Sequence, residues 1–202
     1  VTGALCGDFW SSANKHGVNL CTNGAPGGYR VITAAGSHIS SVYKATGTDG
    51  NFFFRSYDRN TMDFSASLMC PKAPSGSKQQ KFWNDKAKVY TGASSENIVY
   101  IHVWDMKEGW TLTVTEDGHG LEPMKVSLHD PLFLAANIAG QCNNAREEWA
   151  IGTNSTICGQ MYRVTASSSG STLVISVTDN EGNNHTETMK RPKEFSIKKY
   201  IY

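Results

Sequence analysis

The chain has 202 residues, enough to bury a sizeable hydrophobic core, and we predict a single domain over residues 1–202. Its 19 Lys and Arg residues nearly balance its 18 Asp and Glu residues, so the net charge of +1 gives no strong positive field for nucleic acid or an anionic membrane. No run approaches the roughly 18 consecutive apolar residues of a membrane-spanning helix, so no membrane span is predicted.

Short runs rich in Val, Ile, Thr, Tyr and Phe alternate along the chain with clusters of Gly, Asn, Asp and Ser, which is typical of strands and turns. The first two runs, residues 29–35 and 38–46, flank Gly36-Ser37 and predict a tight hairpin. Residues 97–104 carry large side chains on both faces, which predicts a central strand covered on both sides, with 110–115 pairing beside it. The other predicted strands are 52–57, 161–167, 171–179, 184–190 and 195–202, with a closing hairpin over 171–190.

Residues 131–139 form the only predicted helix, because Asp130 is a good N-terminal cap and Pro131 suits the first helical position. Residues 71–88 lack alternation and are rich in Pro, Ser, Gly and Lys, so we predict an exposed insertion loop there. Together these features predict an all-β fold, an immunoglobulin-like antiparallel β-sandwich with one short helix and a long insertion loop.

The five cysteines lie at wide spacings without a CxxC pair, which argues against a zinc ribbon or a thioredoxin-type motif. Cys142 and Cys158 flank a polar loop that a disulfide would close, as do Cys6 and Cys21. Burial as small hydrophobic side chains is the alternative for each pair. The odd number leaves at least one thiol free.

Three short motifs imitate the ligand motifs of two-metal phosphoesterase sites: Gly7-Asp8, Gly118-His119 and the segment from Gly182 to His185. Such a site needs several ligands from the ends of consecutive strands in an α/β layer, holding two metals about 3.5–4 Å apart. Here the initial Asp-x-His motif is absent and the order of the others is inverted, so turn residues are the simpler interpretation. No nucleophile elbow is present either. The sequence therefore predicts no catalytic and no metal-binding residue in this chain.

Five segments in a fixed order carry a resemblance to a known family. They are Gly-Ala-Leu-Cys-Gly-Asp-Phe-Trp (3–10), Thr-Asn-Gly-Ala-Pro-Gly-Gly-Tyr (22–29), Tyr-Lys-Ala-Thr-Gly (43–47), Asn-Ile-Val-Tyr-Ile-His-Val-Trp (97–104) and Asp-Pro-Leu-Phe (130–133). In this order they resemble the C-terminal domain of bacterial calcineurin-like metallophosphoesterases. The chain departs from the family where a Trp-Trp pair is usual, because it has Leu5-Cys6 there, or Phe9-Trp10 slightly later.

The resemblance implies a non-catalytic accessory domain that packs against an upstream catalytic phosphoesterase domain and shapes substrate access. It implies no cofactor in this chain and two divalent metals in the catalytic domain. The chain opens at Val1 without an initiator Met, and we expect a piece of a longer protein that is periplasmic, at the cell surface or secreted. We expect Asp8, Phe9, Trp10 and Tyr29 to face the domain junction, where a phosphoester or glycan substrate would bind.

The alternative function is a carbohydrate-binding module, because Trp83, Trp104, Trp110 and Trp149 are candidates for a platform on which sugar rings stack. Exposed coplanar tryptophans on one face would favour this function, and buried ones would oppose it. An adhesin-like structural domain shares the same fold and is a third possibility, since fold alone does not determine function.

Overall fold

A computed structural model describes residues 18, 20–48, 51–144 and 156–200. Every strand pairing within these ranges is antiparallel, which confirms the predicted all-β antiparallel class. The strands are β1 (Gly28–Ala35), β2 (His38–Ala45), β3 (Phe54–Asp58), β4 (Ile98–Val103), β5 (Thr111–Glu116), β6 (His119–Leu121), β7 (Met124–Leu128), β8 (Cys158–Thr165), β9 (Thr172–Thr178) and β10 (Asn184–Lys190).

Two four-stranded sheets, with strand orders β10-β9-β5-β6 and β3-β4-β8-β7, pack face to face as a sandwich, and β1 and β2 form a separate two-stranded hairpin. The core between the sheets is aliphatic, and alternate residues of each strand point into it, as the period of two requires. Its fully buried members include Val99, Ile101, Val103, Leu173, Ile175 and Val177. The immunoglobulin-like strand arrangement stays a prediction.

Short helices cover the outer face of the sheet β3-β4-β8-β7 and form a third layer. They are α1 (Ala66–Met69), α2 (Lys78–Ala87), and one continuous helix made of α3 (Pro131–Phe133), a π turn (Leu134–Ile138) and α4 (Ala139–Asn144). The second core lies between this layer and the sheet and contains Tyr57, Tyr100, Trp83, Leu132 and Ile138. Strand β4 is therefore buried on both faces, which confirms the prediction for residues 97–104. No helix within the described ranges is long and apolar enough to cross a membrane.

The predicted partner of strand β4 is wrong. Strand β5 does not pair with β4; it pairs with β9 and β6 in the opposite sheet, so the chain between residues 104 and 110 crosses from one sheet to the other. Strand β4 pairs with β3 and β8 instead. Alternation of side chains fixes that a segment is a strand, but both sheets offer an apolar inner face and the pattern does not distinguish them.

The predicted insertion loop over residues 71–88 is also wrong, because it contains α2. Ser77 caps this helix by accepting a hydrogen bond from the backbone N–H of Gln80. Gln79, Trp83 and Ala87 are buried at intervals of four residues, which is one face of a helix. The Trp83 indole N–H donates to the Phe64 carbonyl at 2.7 Å, so this segment belongs to the core.

The remaining elements divide between confirmed and corrected predictions. The helix begins at Pro131 as predicted, with an Asp130 carboxylate oxygen accepting from the Phe133 N–H at 2.9 Å, and it continues to residue 144. Both predicted hairpins, β1–β2 and β9–β10, are present. The strand predicted over residues 195–202 is wrong, because Ile197–Tyr200 is a 3-10 helix and residues 201–202 lie outside the described ranges. Strands β6 and β7 were not predicted from the sequence.

Candidate functional site

The β1–β2 hairpin exposes four large apolar side chains to solvent. Tyr29 is 57% exposed, Val31 42%, Ile32 57% and Ile39 71%. A two-stranded hairpin is marginally stable by itself, and clustered exposed apolar side chains mark interaction surfaces. We call these four side chains the hairpin surface.

The hairpin surface includes both faces of the strand pair. Cross-strand partners share a face, and the register pairs Tyr29 with Lys44 and Ala34 with Ile39. Tyr29 and Val31 therefore lie on one face, while Ile32 and Ile39 lie on the other. Neither face is fully covered by the described part of the chain.

The base of the hairpin is held tightly although its outer part is exposed. The Tyr43 hydroxyl donates to the Pro26 carbonyl, and residue 28 must be glycine because a Cβ atom there would lie 2.2 Å from the Lys44 carbonyl oxygen. The Arg30 guanidinium forms a two-armed ion pair with Asp105, one arm measuring 3.0 Å. Such paired, planar contacts fix orientation as well as distance. The hairpin surface is consequently presented in a defined position.

A buried ionic cluster lies beneath this base, centred on the Asp130 carboxylate. One of its oxygens contacts His102 Nδ1 at 2.8 Å and accepts from the Tyr57 hydroxyl at 2.9 Å. The other oxygen accepts a hydrogen bond from the Phe133 N–H and lies 3.8 Å from the Arg55 guanidinium. We call Arg55, Tyr57, His102 and Asp130 the buried ionic cluster.

The fold explains why these side chains meet. Arg55 on β3 and His102 on β4 are direct cross-strand partners, and both point toward the helical layer, as Tyr57 does two residues after Arg55. Asp130 caps the helix that packs on that face, so the cap position delivers a carboxylate between two cations.

The charge states within the buried ionic cluster follow from these contacts. Burial by itself would lower the pKa of His102, but its hydrogen bonds with Asp130 and Cys158 raise that pKa to about 9. Burial would raise the pKa of Asp130, whereas His102 and Arg55 hold it below its usual value. At neutral pH a carboxylate is therefore held between two buried cations.

The buried ionic cluster positions the turn that leads into the hairpin. Arg55 donates to the Gly24 carbonyl, and Gly24 has φ +88°. A Cβ atom at residue 24 would lie 2.1 Å from the Asp130 Cβ, so only glycine fits. The Cys21 N–H donates to the Ala25 carbonyl at 2.8 Å and tightens the same turn. The ionised groups of the buried ionic cluster are enclosed by the protein. The role of the cluster is therefore structural: it fixes the base of the hairpin.

The predicted junction residues are only partly within the described ranges. Asp8, Phe9 and Trp10 lie outside them. Tyr29 lies on β1 and is exposed, beside Val31, Ile32 and Ile39 on the hairpin surface. The sequence analysis did not single out these three aliphatic residues, because apolar alternation looks the same in a packed strand and in an exposed one.

The two phosphoesterase-like motifs within the described ranges, at His119 and at His185, are not brought together. His119 is on β6 and His185 on β10, which are edge strands on opposite sides of one sheet. With two strands between them, the two edge strands lie about 14 Å apart, and the registers offset the two histidines further along the sheet. His185 packs edge-on against Phe52 and Phe54, and Asp8 is outside the described ranges. Among the described residues, no group of three or more His, Cys, Asp or Glu side chains is placed to hold a metal ion.

The candidate sugar platform loses three of its four members. Trp83, Trp104 and Trp110 are all buried, Trp83 completely, while Trp149 lies outside the described ranges. Buried indoles cannot stack on a sugar ring.

The Cys142–Cys158 disulfide is absent. Cys158 hydrogen-bonds His102, and Cys142 hydrogen-bonds Cys70 instead. The alternative Cys6–Cys21 pair includes a residue outside the described ranges.

Comparison with known proteins gives one match. A family model for the C terminal of calcineurin-like phosphoesterase matches residues 1–185, which is most of the chain. No curated protein and no solved structure matches.

Proposed function

Because the chain belongs to the family of C-terminal domains of calcineurin-like phosphoesterases, we propose that it is a non-catalytic accessory domain that docks on its catalytic domain through the hairpin surface. The single observation that carries this proposal is the exposure of Tyr29, Val31, Ile32 and Ile39 on a hairpin whose base is firmly anchored. An anchored, exposed apolar surface is suited to a fixed contact with a neighbouring domain.

The energetics agree with docking at this surface. Complete burial of an aliphatic side chain contributes about 1.5–3 kcal/mol. Ile32 and Ile39 are each more than half exposed, so covering them would contribute on the order of 1–2 kcal/mol each. On the opposite face of the hairpin, Tyr29 adds a large ring with a hydroxyl that remains able to hydrogen-bond at a partly polar interface.

In this proposal the chemistry belongs to the catalytic domain, which would hold two divalent metals and bind the phosphoester, while this domain shapes access to that site. Support comes from the separation of His119 and His185 and from the lack of a metal-binding group among the described residues. A periplasmic, cell-surface or secreted location belongs to the same proposal. Cell fractionation of the parent protein tests it, and recovery in the cytoplasm would contradict it.

Hydrogen–deuterium exchange tests the docking surface. Peptides covering residues 28–45 are compared between the isolated chain and the parent protein that contains both domains. We expect slower exchange of the hairpin in the parent protein, because docking covers its backbone as well as its side chains. Equal exchange rates in the two proteins would refute docking at this surface.

A pair of matched variants separates docking from a general loss of surface apolarity. Ile39→Asp places a charge in the proposed interface, whereas Leu68→Asp places one on α1 of the helical layer, at a residue that is 63% exposed and does not belong to the hairpin surface. In the parent protein we expect Ile39→Asp to restore fast exchange of residues 28–45 and to lower phosphoesterase activity. Leu68→Asp should do neither.

A further inference from the structure

Two cysteines that are far apart in sequence face each other in the helical layer. Cys70 ends α1 and Cys142 lies in α4, both are buried, and their thiols hydrogen-bond each other. Asn143 fixes the two backbones together: its side-chain N–H donates to the Met69 carbonyl at 2.8 Å, and its side-chain oxygen accepts from the Lys72 N–H at 3.0 Å. The residues flanking one cysteine thus clamp a neighbour of the other.

The two thiols are chemically unequal. The hydrogen bond from Cys70 to Cys142 lowers the pKa of Cys142 and raises the pKa of Cys70. The lowered pKa of Cys142 makes it the candidate nucleophile of the pair. Cys70 is positioned as the resolving thiol beside it.

A surface cleft of about 500 Å³ brings solvent close to the pair. Its lining includes Met69 and Pro71, which flank Cys70, and Asn143, which follows Cys142. The two sulfurs are themselves buried, so the cleft borders the pair through chain neighbours of both cysteines.

We propose that Cys70 and Cys142 form a reversible disulfide when the protein meets a peroxide, covalently joining the end of α1 to α4. The Cys142 thiolate attacks one peroxide oxygen, the O–O bond breaks, and hydroxide leaves to give a sulfenic acid. The Cys70 sulfur then attacks the Cys142 sulfur, the S–O bond breaks, and the S–S bond forms. In net terms two thiols are oxidised to a disulfide, and hydrogen peroxide is reduced to two molecules of water.

The test is peptide mapping of the full chain under native conditions, after hydrogen peroxide treatment and alkylation of the remaining thiols. We expect a disulfide-linked peptide pair containing Cys70 and Cys142 that a thiol reductant separates. We also expect the oxidised protein to unfold at higher temperature than the reduced protein, since the link closes a long loop. Wild-type protein suffices for this experiment, so it does not depend on whether a variant folds.

Two matched variants identify the roles of the sulfurs. Cys70→Ser should leave a sulfenic acid at Cys142 that dimedone traps, because the resolving thiol is gone. Cys158→Ser removes another buried thiol of the same core and should leave the Cys70–Cys142 link unchanged. Absence of the linked peptide in oxidised wild-type protein, or oxidation of Cys158 as fast as that of Cys142, would overturn the proposal.

Discussion

Replacement of Asp130 by asparagine removes the negative charge from the buried ionic cluster while keeping the size and shape of the side chain. The amide can still accept a hydrogen bond from the Phe133 N–H, so the helix cap is kept. His102 and Arg55 then remain buried without their carboxylate. The substitution therefore isolates the electrostatic contribution of Asp130 to stability.

Two independent estimates give the magnitude of this contribution. Removal of one partner from a buried ion pair costs about 3–5 kcal/mol. Hydrogen bonds with Asp130 and Cys158 together raise the pKa of His102 from 6.5 to about 9 on folding, a net effect on the order of 3 kcal/mol. The free energy of unfolding of a natural domain is about 5–15 kcal/mol, so the variant should lose a large fraction of its stability.

The stabilisation has a defined pH window. Because the folded-state pKa of His102 is raised, its contribution is fully present below pH 6.5 and is lost as the pH rises through about 9. Folding lowers the pKa of Asp130, so the stability that Asp130 contributes is present above pH 3.8. It is lost as the pH falls through the lower pKa of Asp130 in the folded state. The cluster therefore stabilises the fold most in the weakly acidic range between these limits.

Urea unfolding followed by tryptophan fluorescence measures both effects, since Trp83, Trp104 and Trp110 are buried reporters. The free energy of unfolding of the wild type should fall by on the order of 3 kcal/mol between about pH 6.5 and 9, and Asp130→Asn should flatten this profile. Asp85→Asn is the control, because that side chain is 75% exposed and its pair with Lys86 contributes less than about 1 kcal/mol. A loss below about 1 kcal/mol for Asp130→Asn, or a flat wild-type profile, would refute the assignment.

Three further predictions concern catalysis, the core and the domain junction. The purified chain should hydrolyse no phosphomonoester or phosphodiester with added manganese, zinc or iron; metal-dependent turnover that Asp8→Ala or His185→Ala abolishes would place a site in this chain. Trp83→Ala should lower the free energy of unfolding by about 3–5 kcal/mol in urea titrations, because it empties a core position of the helical layer; a change below about 1 kcal/mol would return this segment to a surface loop. Trp10→Ala in the parent protein should lower phosphoesterase activity or weaken domain docking and leave this domain folded by circular dichroism; unchanged activity and docking would remove Trp10 from the junction.

The sequence by itself determined the local structure of most strands. Large side chains on both faces of residues 97–104 correctly predicted a strand buried on both faces, because such side chains on either side of the backbone require a covering layer. Gly36 predicted the β1–β2 turn, where it has φ +60°, and Asp130-Pro131 predicted a helix start. These signals are local, since turns, caps and alternation depend on neighbours along the chain.

Only the tertiary structure decided which local elements meet. Strand β5 joins β9 and not β4. Both sheets have an apolar inner face, so the alternation within β5 is compatible with either partner. Trp83 is buried because Phe64 and the helical layer surround it, although its own segment is polar. Arg55, His102 and Asp130 are separated by dozens of residues, so their contact follows from cross-strand register and from packing of the helix cap on the same face. Burial, pairing and ionisation are properties of that non-local arrangement, and no pattern along the chain records them.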